Sequence, residues 1–243
     1  IYVLIFKKSK MIKFIKGNIF NTQCKVLVNT VNCVGVMGKG MAFECKQRFP
    51  DMYKNYEKKC QQGELSPGKL HLWNKSNPWI LNFPTKVDWK HPSKIEYLKL
   101  GLEKFKQTYS DKAIESIAFP LLGSSLGGLD KNDVIKVMRD YLEPISEIIN
   151  IEIYEFDKSA TDKLFESFSR QTRNFTTEDY QKYLKINKVQ ANNLYEAINN
   201  GTLKTMLGIQ DVPQVGLKAI EKIHQFVKNS SDLNIQSKLE FDE

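Results

Sequence analysis

The chain predicts an α/β sandwich, with helices on both faces of a mixed sheet, followed by a small all-helical module. Three observations carry this. From Met11 to Asp157, short runs rich in β-branched residues alternate with helical patterns. Two glycine-rich segments, Asn29–Ala42 and Pro120–Asp130, each leave a strand run and open a helix run. In open α/β sheets ligands bind in such loops, beyond the carboxyl ends of strands. Beyond Lys158 the helical patterns continue but no convincing strand run appears.

Ile12–Ile15 and Lys25–Asn29 read as the first two strands. Gly38–Phe49 reads as a helix after a glycine-rich turn. Asp51–Gln62 reads as another, capped by Asp51 and stopped by Gly63. Lys69–Trp73 and Trp79–Phe83 form a strand pair joined by a polar turn. Ser93–Tyr109 is helical, with Ile95, Leu98, Leu102 and Phe105 at the spacing of one face. Ser116–Pro120 is a strand, Asn132–Ile149 a helix and Ile151–Phe156 a closing strand. In the module, Ser159–Ser169, Thr177–Lys185, Gln190–Asn199 and Val215–Val227 read as helices, with a polar tail fraying after Lys228. The expected division is therefore 1–10 an N-terminal extension, 11–157 the α/β domain and 158–243 the helical module with its tail. The extension is inferred from Met11, which starts a natural-looking strand in a chain without methionine at position 1.

The 243 residues are 41% hydrophobic and 26% charged, the proportions of a globular chain with a core of its own. No run of 18 apolar residues is present, so no transmembrane helix is expected. Ile1–Phe6 is too short, and its lysines wrongly placed, for a secretory signal. Cys24, Cys33, Cys45 and Cys60 form no CxxC pair, and His71, His91 and His224 do not cluster. Reduced thiols in a cytoplasmic protein and no metal site are the expectation. The net charge of +8 is uneven. Residues 159–243 hold 11 basic and 11 acidic side chains, so the whole excess lies in the first 158 residues. Such an excess favours anionic partners, nucleic acid or a nucleotide, although solubility alone also accounts for it.

In the first loop Gly35, Gly38 and Gly40 are spaced G-x-x-G-x-G, which is neither a Walker A loop nor GxGxxG. Glycines there let backbone N–H groups approach an anion at a helix start, with Lys39 nearby. In the second loop Gly123, Gly127 and Gly128, with Ser124 and Ser125, supply N–H and O–H donors for phosphate oxygens. Two such loops in one domain suggest a ligand with two phosphates and two ends. Asp130, before a helix, suits either an N-cap or a carboxylate at the mouth of that loop. Lys86 follows a strand; it is either a solvated charge or, if desolvated, an amine nucleophile.

Together Lys16–Phe20, the stretch VNTVNCVGVMGKGMA at 28–42, the Thr85–Lys86 pair and the Gly-Gly-Leu-Asp ending resemble a macrodomain, the ADP-ribose-binding fold, over roughly Met11 to Asp157. Among macrodomains they look most like the DarG antitoxins and their relatives, the terminal ADP-ribose glycohydrolases. The resemblance implies a three-layer α/β/α macrodomain with a mixed central sheet. It implies that Asn18 reads the adenine amino group, with Ile19 its backbone-binding neighbour. Asn32 would face the distal ribose, and Gly35, Val36, Met37, Gly38 and Gly40 would wrap that ribose and the pyrophosphate. Gly123, Ser124, Ser125, Leu126 and Gly127 would hold the diphosphate. Lys86 would be catalytic, paired with Asp130. The chain departs from many relatives in reading Gly-Ser-Ser-Leu-Gly-Gly in the second loop and in carrying Lys131 where tryptophan is common.

DarG-type enzymes remove ADP-ribose from thymidine in DNA and counter a DarT toxin. The implied partners are therefore ADP-ribose, ADP-ribosylated single-stranded DNA and, through the helical module, a DarT-like toxin, with no cofactor and no membrane. Hydrolysis of O-acetyl-ADP-ribose or of ADP-ribosylated protein carboxylates, and non-catalytic reading of ADP-ribose, stay open as alternatives. Leu207–Ile223 resembles a helix–hairpin–helix, but Gln214 stands where glycine is usual and the module carries no net charge.

Overall fold

The computed structural model describes residues 12–239, with side chains described to residue 229. The extension expected over residues 1–10 lies outside the described residues. The chain divides into two compact units. One comprises the chain up to Met37 together with Phe49–Phe156; the other comprises Gly38–Arg48 and the chain from Asp157 onward. The second unit thus recruits a segment that a linear division at residue 158 leaves with the α/β domain.

The first unit is built on a six-stranded sheet: β1 (Lys13–Gly17), β2 (Val26–Val31), β3 (His71–Trp73), β4 (Trp79–Pro84), β5 (Ser116–Pro120) and β6 (Asn150–Phe156). Their order is β1-β6-β5-β2-β4-β3. Every neighbouring pair is parallel except β3 with β4. The mixed sheet is the expected one. β2 lies between β5 and β4 and pairs with both, Val26 opposite Ile117 and Trp79. The carboxyl ends of these three strands therefore sit side by side, about 5 Å apart per step.

Alternation along the strands decides which face each helix covers. Val26, Val28, Leu81 and Phe83 point to a core shared with α3 (Ile95–Thr108) and α4 (Lys131–Leu142), through Leu98, Leu102, Phe105, Val134 and Met138. Each of these large side chains contributes about 1.5–3 kcal/mol by leaving water. On the opposite face lies α2 (Pro50–Gln61), whose Met52 sulfur accepts from the Asn82 amide at 3.1 Å. This helix is not capped by Asp51. Pro50 takes the first position, where its missing N–H costs nothing, and Phe49 precedes it without a side-chain bond. The helix expected over Asn132–Ile149 ends at Leu142 and continues as a 3₁₀ turn, Glu143–Ile145. Pro144 lacks the N–H an α-helix needs there.

The second unit packs α1 (Gly40–Arg48), α5 (Lys163–Gln171), α6 (Thr177–Leu184), α7 (Lys188–Asn199) and α8 (Leu217–Leu239). α8 outruns the expected fraying at Lys228. Phe43 of α1 shares one core with Phe165, Phe168, Tyr180, Leu194 and Ile223. Buried charges accompany it. Arg48 donates to Glu44 and to Asp162, both at 2.6 Å, and His224 Nε2 lies 3.3 Å from Glu44. Burial would raise the Glu44 carboxyl, but His224 and Arg48 outweigh it and hold it below its ordinary value. Gln214 adopts the left-handed conformation that glycine would favour (φ +61°). Gln190 and Asn193 of α7 steady that hairpin by donating to the Gln214 and Pro213 carbonyls at 3.3 and 2.8 Å.

Candidate active site

The first loop leaves β2 at Val31. Asn32, buried, spends its whole side chain inside the loop. Its Oδ1 accepts from Val34 N at 3.0 Å, Val36 N at 3.2 Å and the Tyr56 hydroxyl at 3.1 Å. Its Nδ2 donates to Val36 O at 2.6 Å. Asn32 is thus the staple of the loop, and the turn it closes contains Gly35 at φ +84°. The Tyr53 hydroxyl donates to Gly35 O at 3.3 Å, which ties the loop to α2. The Gly35 N–H is turned to the Cys60 thiol and the Tyr56 hydroxyl of α2, whereas the Met37 N–H donates to no backbone acceptor among the described residues. Val34 and Val36 are exposed, whereas Met37 is buried with its sulfur 3.8 Å from the Asn29 amide. Gly38 and Gly40 belong to the second unit. There Gln210 engages both polar groups of Gly40, accepting from its N–H at 2.8 Å and donating to its carbonyl at 3.2 Å.

A buried polar chain underlies this loop. Asn29 Nδ2 donates to Asn82 Oδ1 at 2.8 Å, and Asn82 Nδ2 lies 3.0 Å from His71 Nδ1. Because the Asn82 nitrogen is the donor, the imidazole Nδ1 must accept, so His71 is neutral there. Burial, with Lys59 adding to it, pulls its pKa down to about 4.

The second loop leaves β5 at Pro120. Ser124 N and Oγ both donate to Leu121 O, at 3.3 and 3.0 Å, and Leu129 N closes on Gly123 O at 3.0 Å. Gly127 O accepts from Ser93 N at 2.9 Å. Gly127 must be glycine, because a Cβ there would collide with Gly123 O and stand 2.5 Å from Ser93 Oγ. Among the described residues, the N–H groups of Ser125, Leu126 and Gly127 donate to no protein acceptor. Three consecutive free amides in a tight turn form an anion-binding concavity.

Lys86, just past β4, joins the two loops. Its Nζ donates to Leu126 O at 2.7 Å. On its backbone side, Cys33 Sγ donates to Lys86 O at 3.3 Å, and Cys33 N donates to Val87 O at 2.9 Å. Burial pushes the Cys33 thiol up to about 11, so it stands there as a neutral thiol. Asp130 is the N-cap of α4: its Oδ1 accepts from Asn132 N and Asp133 N at 2.8 and 3.1 Å. The carboxylate is exposed and fixed at the foot of the second loop.

At the other end of the row of parallel strands, Asn18 follows β1. It is buried, and its Oδ1 caps a 3₁₀ turn, Ile19–Asn21, by accepting from Phe20 N at 3.0 Å. Its Nδ2 has no partner among the described residues, and Ile19 beside it is buried. Three strand steps separate β1 from β2, about 14 Å. The structure thus sets a buried amide donor at one end of the row of parallel strands, and two glycine-containing loops with a lysine toward the other.

Sequence reasoning passed over Ser93, the Asn29–Asn82–His71 chain and Trp89. Asn29 and Asn82 carried a signal, as polar residues at strand positions otherwise filled by buried apolar side chains. Ser93 carried none, since its role depends on a fold contact with residue 127. Among the described residues no three His, Cys, Asp or Glu side chains gather at metal-binding range, and no helix is long and apolar enough to cross a membrane.

The Macro domain family model matches residues 28–138. A DNA ADP-ribosyl glycohydrolase of Thermus aquaticus is 39% identical over 149 residues, 60% of this chain and 41% of that protein. The solved macrodomain of Mycobacterium tuberculosis DarG is 38% identical and superposes with a TM-score of 0.57, over 59% of this chain and 97% of that one. Thermosipho africanus DarTG, solved in complex with ADP-ribose, is 32% identical with a TM-score of 0.57, over 65% of this chain and 44% of that one. The chain spans about two fifths of the length of the curated relatives it matches. Five parallel strands whose loops meet at one edge, and a likeness that covers nearly all of a solved DarG macrodomain, place this chain in the macrodomain family, in its DarG branch.

Proposed function

We propose that this protein is a DNA ADP-ribosyl glycohydrolase, which removes ADP-ribose from thymidine in single-stranded DNA. The observation that carries this is the Lys86 amine, held 2.7 Å from Leu126 O inside the loop of free amides and backed onto the first loop by Cys33. A diphosphate bound by Ser125–Gly127 puts the distal ribose beside that amine. Asn18 Nδ2, about 14 Å along the sheet edge, offers a donor to the adenine. Gly35, Val36 and Met37 cover the distal ribose. Firm binding of the remote adenosine and diphosphate positions the anomeric carbon.

The chemistry proceeds as follows. The Lys86 nitrogen lone pair bonds to C1″ as the C1″–N bond to the base breaks, its electron pair leaving with the base. The proton shed by the attacking amine goes to the departing base. Asp130 relays protons as the ribose ring opens to an imine, and water then adds to release ADP-ribose and free lysine. The expected setting is a reduced cytoplasm, in keeping with four free cysteines. An antitoxin role against a DarT-like toxin belongs to the same proposal, supported by likeness to the Thermosipho africanus fusion of a DNA ADP-ribosyl transferase with a DNA ADP-ribosyl glycohydrolase.

Lys86→Ala should abolish release of ADP-ribose from modified single-stranded DNA, with ADP-ribose affinity nearly unchanged by calorimetry. Full turnover in that variant would remove the assignment. Borohydride added during turnover should trap a sugar adduct on Lys86. Asp130→Asn separates cap from catalysis, since asparagine caps as well as aspartate. Melting temperature should hold while turnover falls on the order of a hundredfold.

A further inference from the structure

We propose that the turn Val87–His91 is a docking strip for the single-stranded DNA flanking the modified base, with Trp89 the platform on which a neighbouring base stacks. This rests on the glycohydrolase reading and adds to it where the rest of the substrate lies.

Trp89 is 52% exposed and Val87 47% exposed, in a turn three residues beyond the Lys86 amine. Three residues span at most about 11 Å between the Cα atoms of Lys86 and Trp89, which keeps the indole within a few nucleotides of the scissile bond. The turn is ordered. Asp88 Oδ1 accepts from Lys90 N at 2.9 Å, Asp88 O accepts from His91 N at 3.2 Å, and Val87 O accepts from Cys33 N at 2.9 Å. An exposed indole is therefore presented in a fixed place and not on a wandering loop. The other two tryptophans, Trp73 and Trp79, are half-buried in strands.

Charge selects the occupant. Beside the Lys86 amine, Lys90 and Lys94 face a single carboxylate, Asp88, within this stretch. Lys90 Nζ lies 5.6 Å from the Trp89 ring centroid and Lys94 Nζ 5.7 Å from that of Tyr97. Aromatic faces interleaved with cations are the pattern that holds single strands, with bases stacking and phosphates pairing with lysine. A duplex keeps its bases stacked inside and offers no free face. A protein interface core is depleted in lysine.

The test titrates a fluorescein-labelled, thymidine-containing single-stranded oligonucleotide, unmodified, against the full chain at low salt, following anisotropy. Trp89→Ala should bind roughly tenfold more weakly, and Trp89→Phe should keep most of the affinity. With ADP-ribosylated oligonucleotide and ADP-ribosyl-thymidine as substrates, the ratio of their kcat/KM values should fall by about the same factor in Trp89→Ala. Equal oligonucleotide affinity in wild type and Trp89→Ala, no binding by the wild type, equal binding of duplex, or a dimer that Trp89→Ala dissolves would each overturn the strip. Loss of turnover on both substrates in the wild type would instead overturn the glycohydrolase reading, and the binding titration would still decide the role of Trp89.

Discussion

The two loops that flank Lys86 are held by opposite means. The first is fastened by side chains: Asn32 fills the turn with four hydrogen bonds, Tyr53 and Tyr56 reach it from α2, and the Asn29–Asn82–His71 chain runs beneath. The second is fastened mainly by backbone: Ser93 N on Gly127 O, Leu129 N on Gly123 O, and a closeness at Gly127 that admits no Cβ, with the Ser124 hydroxyl and the Lys86 amine adding one bond each. A loop built from side-chain bonds can loosen by degrees, because each bond contributes about 0.5–1.5 kcal/mol net. A loop built from backbone approach has one geometry and fails when that approach is blocked. The amides left free differ accordingly. Three in a row, at Ser125, Leu126 and Gly127, lie in the loop that cannot adjust, which suits a diphosphate whose oxygens need fixed donors.

Gly127→Ala should give the largest effect. The new Cβ meets backbone at Gly123 O, which cannot swing away, so the loop must open. A stability loss of about 3 kcal/mol is expected in thermal unfolding. ADP-ribose binding should become undetectable by calorimetry. A Gly127→Ala protein that still binds ADP-ribose with wild-type affinity would show the second loop to be as adjustable as the first.

Asn32→Ala comes next. It strands the Val34 and Val36 amides, for a loss of about 2–4 kcal/mol in denaturant unfolding, while ADP-ribose affinity drops roughly tenfold. Asn32→Asp keeps the acceptor for both amides but sets a carboxylate oxygen against Val36 O where the donor stood, so it should recover only part of the stability and affinity.

Acid should find the first loop before the second. His71 titrates near its ordinary 6.5 when unfolded and at about 4 in the folded chain. Between those values the unfolded state binds the extra proton, so stability falls as pH drops from about 6.5 toward 4 and is level above 7. The loss amounts to about 2 kcal/mol by pH 5. Protonation turns Nδ1 into a donor facing the Asn82 donor, which disturbs the chain that ends at Met37. His71→Gln should flatten this slope in melts between pH 7 and pH 5. A slope unchanged by that substitution would assign the acid sensitivity elsewhere.

The sheet and both loops were legible because their signals are local. Strand runs at Val26–Val31 and Ser116–Pro120 stop where glycine-rich segments begin, and Lys86 follows a strand whose end the sequence marks with Pro84. What could not be read depends on contacts far apart in the chain. The inward bonds of Asn32 depend on Tyr56, 24 residues on, which closes over it. The recruitment of Gly40–Arg48 into the second unit is set by Gln210 and Asp162, more than a hundred residues away. Asp130 was readable as a helix cap, and the structure shows that cap.

Ser93→Ala should have the smallest effect, and it sharpens the contrast most finely. Ser93 Oγ is buried and makes no hydrogen bond among the described residues, while its backbone N–H holds Gly127 O at 2.9 Å. If backbone alone fixes the second loop, removing the hydroxyl costs nothing there. It also relieves a buried polar atom without a partner, which offsets the small loss of packing. Stability should stay within about 0.5 kcal/mol of wild type. ADP-ribose affinity should stay within about twofold, a difference of less than 0.5 kcal/mol. An affinity loss on the order of tenfold at unchanged stability would mean that the hydroxyl turns toward the diphosphate, and the second loop would then hold its ligand with a side chain as the first holds itself.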